Sequence, residues 1–116
     1  MTVLRIVANI AVEQPAAARS FYEDVLGLKQ VMDLGFIRTF SSERESGSQV
    51  SFATEGGSGT PVPDLSFEVD NFDEVLERAR SGSYEILYGP VDEPWGVRRF
   101  FVRDPFGRLV NILTHL

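Results

Sequence analysis

The stretch that most constrains this chain is its last, Trp95 to Leu116, WGVRRFFVRDPFGRLVNILTHL. Asp104-Pro105-Phe106-Gly107 suits a tight turn, because Pro105 presets φ at the second position and Gly107 tolerates the positive φ that closes such a loop. Strands therefore flank it. Pairing Asp104 across from Arg108 puts Phe100, Val102, Val110 and Ile112 on one face, and Arg99, Phe101, Arg103, Leu109, Asn111 and Leu113 on the other. The first face is wholly apolar. The second mixes apolar side chains with Arg and Asn, as the wall of a ligand cavity does when the sheet has helices packed on its other side.

Other segments alternate in the same way. Leu4 to Val12 has period two, with Leu4, Ile6, Ala8, Ile10 and Val12 on one side and Val7, Asn9 and Ala11 on the other, so it reads as a strand. Pro15 opens a helix through the alanines to Leu26, with Phe21 as a core residue, and Gly27 stops it. Residues 28–34 and 36–41 read as strands around Gly35, residues 42–47 as a polar turn and residues 49–54 as a fourth strand. EGGSGTPVP, residues 55–63, is a linker. Then the order restarts: a strand over 64–69, a helix from Asn71 to about Arg80, a strand over 84–88, a passage through Gly89-Pro90 and Glu93-Pro94, and the hairpin.

Laying Val12 on Val69 also lays Ile10 on Phe67, Ala8 on Leu65 and Gln14 on Asn71 at one constant offset, a degenerate duplication. The expected fold is α+β: two tandem βαβββ modules (about 1–54 and 64–116, joined by the linker 55–63) form a curled mixed sheet around a shared cavity, with helices on the outer face.

Bulk properties narrow the function. The chain has 116 residues, 43% of them hydrophobic, enough for one compact core. A net charge of −6 argues against nucleic acid or an anionic membrane surface as partner. There is no cysteine, hence no disulfide framework, thiolate nucleophile or zinc finger, and the expectation leans to the cytoplasm. No targeting segment or membrane span is read.

AAARSFYEDVLGL, RRFFVRDPFGRLVNIL and PDLSFEVDN, taken with this order of elements, resemble the vicinal oxygen chelate superfamily, the glyoxalase, bleomycin-resistance protein and extradiol dioxygenase fold. The resemblance covers essentially the whole chain but implies several chemistries, since the superfamily spans lyases, epimerases, dioxygenases, antibiotic-modifying transferases and drug binders. It implies metal ligands, usually His and Glu, at Val7, Asp64 and Asn111, the fourth position near residues 49–51 staying open. Val7 has no donor atom and Asn111 offers only a neutral amide, so Asp64 is the one good ligand of these, and Asp64 with Glu68 and Asn111 is a conceivable divalent-metal set. The expectation is no cofactor. His115, the one histidine, is expected at the solvent-exposed end.

The expected ligand wall comprises Val7, Asn9 and Ala11 from the first strand, Asp64, Ser66 and Glu68 from its counterpart, and Arg99, Phe101, Asn111 and Leu113 from the hairpin. Trp95 is either a lid on a planar ligand or a plug at the sheet edge. Arg99 either meets the ligand or pairs internally with Asp64 or Glu68. The resemblance and this wall imply a metal-free homodimer that sequesters a small aromatic or amphipathic molecule, cationic ones included. The alternatives are a metal-dependent glyoxalase-like lyase or isomerase using Asp64, Glu68 and Asn111, and a fold relic serving as an interaction module.

Overall fold

The computed structural model describes residues 8, 10–42 and 53–116. Val7 and Asn9 lie outside the described residues, as do most of the strands expected over 4–12 and 49–54; the described residues 10–12, 53 and 54 carry no strand.

The second half follows the expected order: β3 (Leu65–Glu68), α2 (Phe72–Ser81), β4 (Ile86–Glu93), β5 (Val97–Arg103) and β6 (Leu109–His115). The sheet order is β3-β6-β5-β4, with β3 parallel to β6 and the other pairs antiparallel. A parallel neighbour requires a crossover, and α2 with the β4–β5 hairpin supplies it. The last hairpin has the expected register, Phe100 opposite Ile112, Phe101 opposite Asn111 and Arg99 opposite Leu113. Asp104 N–H donates to the Arg108 carbonyl and Gly107, at φ +77°, closes the turn.

The first half contributes a 3-10 turn over Pro15–Ala18, α1 (Arg19–Tyr22) and a two-stranded antiparallel sheet, β1 (Lys29–Asp33) and β2 (Arg38–Ser41). Helix α1 is shorter than the expected run to Leu26. Hydrogen bonds of uneven span, Leu26 N–H to Phe21 O and Leu28 N–H to Tyr22 O, unwind it toward Gly27 at φ +73°.

Both helices pack on the apolar face. Phe21, Tyr22 and Val25 from the first half join Phe72, Val75, Leu76 and Ala79 of α2 over Phe100, Val102, Val110 and Ile112. α2 is amphipathic for that reason, its apolar residues recurring at helical spacing and its charged ones facing water. Phe21 is fully buried, edge-on to Tyr84 at 5.0 Å between ring centres. The chain is thus α+β with helices on one face of the larger sheet, leaving the mixed face for other uses.

One strand is longer than expected. β4 continues through Gly89-Pro90, a cis peptide, to Glu93, where a strand ending at Tyr88 is expected. Register shifts beside Tyr88 absorb the interruption, and proline is tolerated because β4 stands at the edge of the sheet formed by the described residues.

Candidate functional site

The mixed face takes its shape from the two turns that bound β5. Glu93-Pro94-Trp95-Gly96 repeats the format of Asp104-Pro105-Phe106-Gly107: acidic, proline, aromatic, glycine. In each the glycine N–H donates to the acidic residue's carbonyl at 3.1 Å, and each glycine has positive φ, +89° and +77°. The first turn carries Trp95 out at the end of β5 and turns Glu93 inward.

Arg99 is buried at 4% exposure and has an internal partner. That partner is Glu93, in place of the expected Asp64 or Glu68. Arg99 Nε donates to Glu93 Oε2 at 2.8 Å and Nη2 lies 2.6 Å from the same oxygen. The guanidinium also donates to the carbonyls of Gly56 at 2.8 Å and Gly57 at 3.2 Å. Three rings surround it, with Phe101, Trp95 and Tyr88 centred 4.8, 5.0 and 5.4 Å from its carbon. Aromatic faces attract a cation, and a desolvated guanidinium gains more from them than an exposed one.

Glu93 takes two further hydrogen bonds, from Ser58 Oγ at 3.0 Å and the Tyr88 hydroxyl at 3.1 Å. Burial works against its charged form, but the hydrogen bonds from Arg99, Ser58 and Tyr88 outweigh it and hold the carboxyl below the usual range.

Asn111 stands opposite Phe101 and beside Ser66. Its Nδ2 donates to Ser66 Oγ at 3.1 Å, while its Oδ1 is a buried acceptor without a partner among the described residues. Such a group carries a desolvation cost of about 1–3 kcal/mol until a donor reaches it. Leu113, half-buried, lies beyond it along β6, and Ser66 and Glu68 are exposed on β3. His115 is 64% exposed, as expected, yet its strand stays ordered: Nδ1 lies 3.0 Å from Glu68 Oε2.

Asp64 leaves this group. Its Oδ2 accepts from Leu109 N–H at 3.0 Å, and its other oxygen lies 3.9 Å from Arg108 Nη1. It lines a separate open groove of about 600 Å³ at the turn end of the hairpin, together with Glu13, Ala17, Phe106 and Arg108. Asp64 and Glu68 are four residues apart on extended chain, about 13 Å, whereas oxygen ligands of one divalent ion lie about 2.0–2.6 Å from it. The Asp64, Glu68 and Asn111 set therefore does not converge and does not fit a metal. Among the described residues no three His, Cys, Asp or Glu side chains form a metal-sized cluster.

Sequence reasoning placed Arg99, Phe101, Asn111 and Leu113 on one wall, and the structure brings them together with Trp95. It missed Tyr88, Glu93 and the contacts from residues 56–58. The second acidic-Pro-aromatic-Gly quartet was the available signal, because it implies a hairpin that lays Glu93 back along β5.

The arrangement can be set beside known proteins. A protein of unknown function from Agrobacterium tumefaciens str. C58 superposes with a TM-score of 0.70 at 23% identity, covering 100% of this chain and 98% of the other. TnmS3, an antibiotic binding protein from Streptomyces sp. CB03234, gives 0.68 at 20% identity over 92% and 91%. TioX from Micromonospora sp. ML1 gives 0.64 at 21% over 97% and 96%. At these identities the likeness speaks for the fold. No curated protein matches the sequence. The family model for the Glyoxalase/Bleomycin resistance protein/Dioxygenase superfamily matches residues 3–112, and the chain belongs to that superfamily.

Proposed function

We propose that this chain is a metal-free, drug-binding member of the superfamily, holding a small aromatic or amphipathic molecule against the mixed face and acting by sequestration. The observation that carries this reading is Asn111. It stands where the resemblance puts a metal-binding glutamate, yet it is a buried neutral amide whose Oδ1, beside Phe101 and Leu113, has no partner among the described residues. Apolar surface from Phe101 and Leu113 beside such an acceptor suits a ligand with a ring system and an N–H or O–H donor. The antibiotic-binding function of TnmS3, with its similar fold, supports the same class of ligand. Because Arg99 already satisfies Glu93, a ligand cation on this face would turn to Glu68, an exposed carboxylate whose contact is the equally exposed His115 ring. The reading includes a homodimer in the cytoplasm; among the described residues no helix is long and apolar enough to cross a membrane.

Calorimetric titration of the full chain with bleomycin and a panel of aromatic antibiotics tests it. The expected result is one-site binding for at least one compound, weakened about tenfold in Asn111→Leu, which removes a hydrogen bond worth about 1.4 kcal/mol. No binding across the panel, or equal affinity in Asn111→Leu, would overturn it.

A further inference from the structure

The segment Glu55-Gly56-Gly57-Ser58-Gly59-Thr60 was expected to be a plain linker, but it lies folded against Arg99. Gly56 N–H donates to Thr60 O at 2.8 Å and Thr60 N–H to Gly57 O at 3.0 Å, so the segment forms a small closed loop. Gly57, Ser58 and Gly59 all have positive φ. A Cβ added to Gly57 would lie 2.8 Å from Trp95 Cη2 and 3.4 Å from Arg99 Nη2, so the loop sits directly on the indole and the guanidinium. Its ties to the sheet are polar: two carbonyls on Arg99 and the Ser58 hydroxyl on Glu93. Glu55, Ser58 and Gly59 are exposed, and only Thr60 is buried. A segment held by a few polar contacts, with little apolar burial of its own, belongs to the part of a structure that opens most readily.

We propose that residues 55–60 are a strap across one end of the mixed face and that Arg99 is its latch, so that passage of a ligand at that end requires the strap to open. Arg99 is a positioning residue: it holds Glu93, two strap carbonyls and the Trp95 ring at once and touches no ligand. Only a planar fork does this. A lysine ammonium is a point charge that cannot span the carboxylate and both carbonyls while stacking on the rings. The strap needs glycine at 57 because any side chain there would push it off Trp95. Trp95, 52% exposed, is therefore part of the closure. This inference rests on the ligand-wall reading only for its effect on binding rates.

Trp95 is the sole tryptophan, so its fluorescence reports the strap without labelling. The experiment uses the full chain and the variants Ser58→Ala, Gly57→Ala and Arg99→Lys. Two quantities are read: acrylamide quenching of Trp95, and stopped-flow association and release of anilinonaphthalene sulfonate as an aromatic probe. Weakening a latch raises the open fraction, so association and release both accelerate, by about tenfold for loss of one hydrogen bond to a charged group, and Kd stays unchanged. Quenching rises in parallel. A residue that contacted ligand or merely shaped the wall would instead raise release alone and weaken Kd. That pattern, or unchanged quenching in Gly57→Ala and Ser58→Ala, overturns the strap. If wild type does not bind the probe, the ligand-wall reading loses support and Trp95 quenching in these two variants alone decides the latch. If Arg99→Lys does not fold, the same two variants decide.

Discussion

The Tyr22 hydroxyl donates a 2.7 Å hydrogen bond to Asp104 Oδ2, tying helix α1 to the turn of a hairpin 82 residues further along the chain. The other oxygen of Asp104 accepts from Phe106 N–H and Arg108 N–H, both at 2.8 Å. One buried carboxylate thus closes the turn and fastens the first half of the chain to the second. Tyr22→Phe should destabilise the protein by about 1.5–3 kcal/mol, the range for a hydrogen bond to a charged group. Urea unfolding measures it, and a loss below 0.5 kcal/mol would mean that the bond is not made in solution.

The same pair sets an alkaline limit. Burial, then the hydrogen bond to Asp104, pushes the Tyr22 phenol well above its ordinary value. The unfolded chain therefore ionises Tyr22 first, and the stability the neutral phenol contributes is complete below about pH 10 and lost as pH rises beyond it. The fall in Tm between pH 9 and pH 11 should be shallower in Tyr22→Phe than in wild type. Parallel curves would exclude Tyr22 as the cause.

Glu93 sets an acid limit of opposite sign. Its carboxyl titrates lower in the folded protein, so its contribution is complete above the ordinary glutamate value of about 4.3 and declines as pH falls through the lower folded value. Glu93→Gln leaves the buried Arg99 without a counter-charge and should cost about 3 kcal/mol at pH 7. Its stability should also vary less with pH below 4.5. A chemical denaturation series at pH 3 to 7 checks both.

Gly89 permits the sharp course of β4 beside β5. Its φ is +76°, and an added Cβ would lie 2.5 Å from the Arg99 carbonyl oxygen, a backbone atom that cannot swing aside. Gly89→Ala should destabilise by about 2 kcal/mol or more, well beyond the value for an exposed turn glycine. Gly107→Ala, with positive φ but nothing within 4 Å of its Cβ, is the matched control and should cost less.

Metal content separates sequestration from metal-assisted chemistry. Protein purified without chelator should contain no stoichiometric divalent metal, and manganese, nickel, zinc and magnesium should each leave Tm unchanged. A stoichiometric metal would overturn the metal-free reading, and a Tm shift abolished by Asp64→Ala would place Asp64 among its ligands.

Much of the fold was legible in residue order. Period-two alternation in Arg98 to Leu113 and a turn built on Pro105 and Gly107 dictate which side chains share a face, since a strand offers two faces and the turn fixes the register. The helix over 72–81 follows equally from local pattern. What the helices cover was legible too, because an apolar sheet face beside two amphipathic helices has one way to leave water.

The candidate site divides differently. The alternation of β5 and β6 put Arg99, Phe101 and Asn111 on one wall, and strand parity assigned Asp64 and Glu68 to the same side. Only the tertiary structure decided that Asp64 turns to the Leu109 amide, that Glu93 reaches Arg99, and that Gly56 and Gly57 fold onto the guanidinium. The reason is physical. Side-chain parity is local and survives any tertiary arrangement, whereas the partner of a buried charge is whatever carboxylate or carbonyl the packed chain brings within about 3 Å, and that depends on loop paths no periodicity encodes.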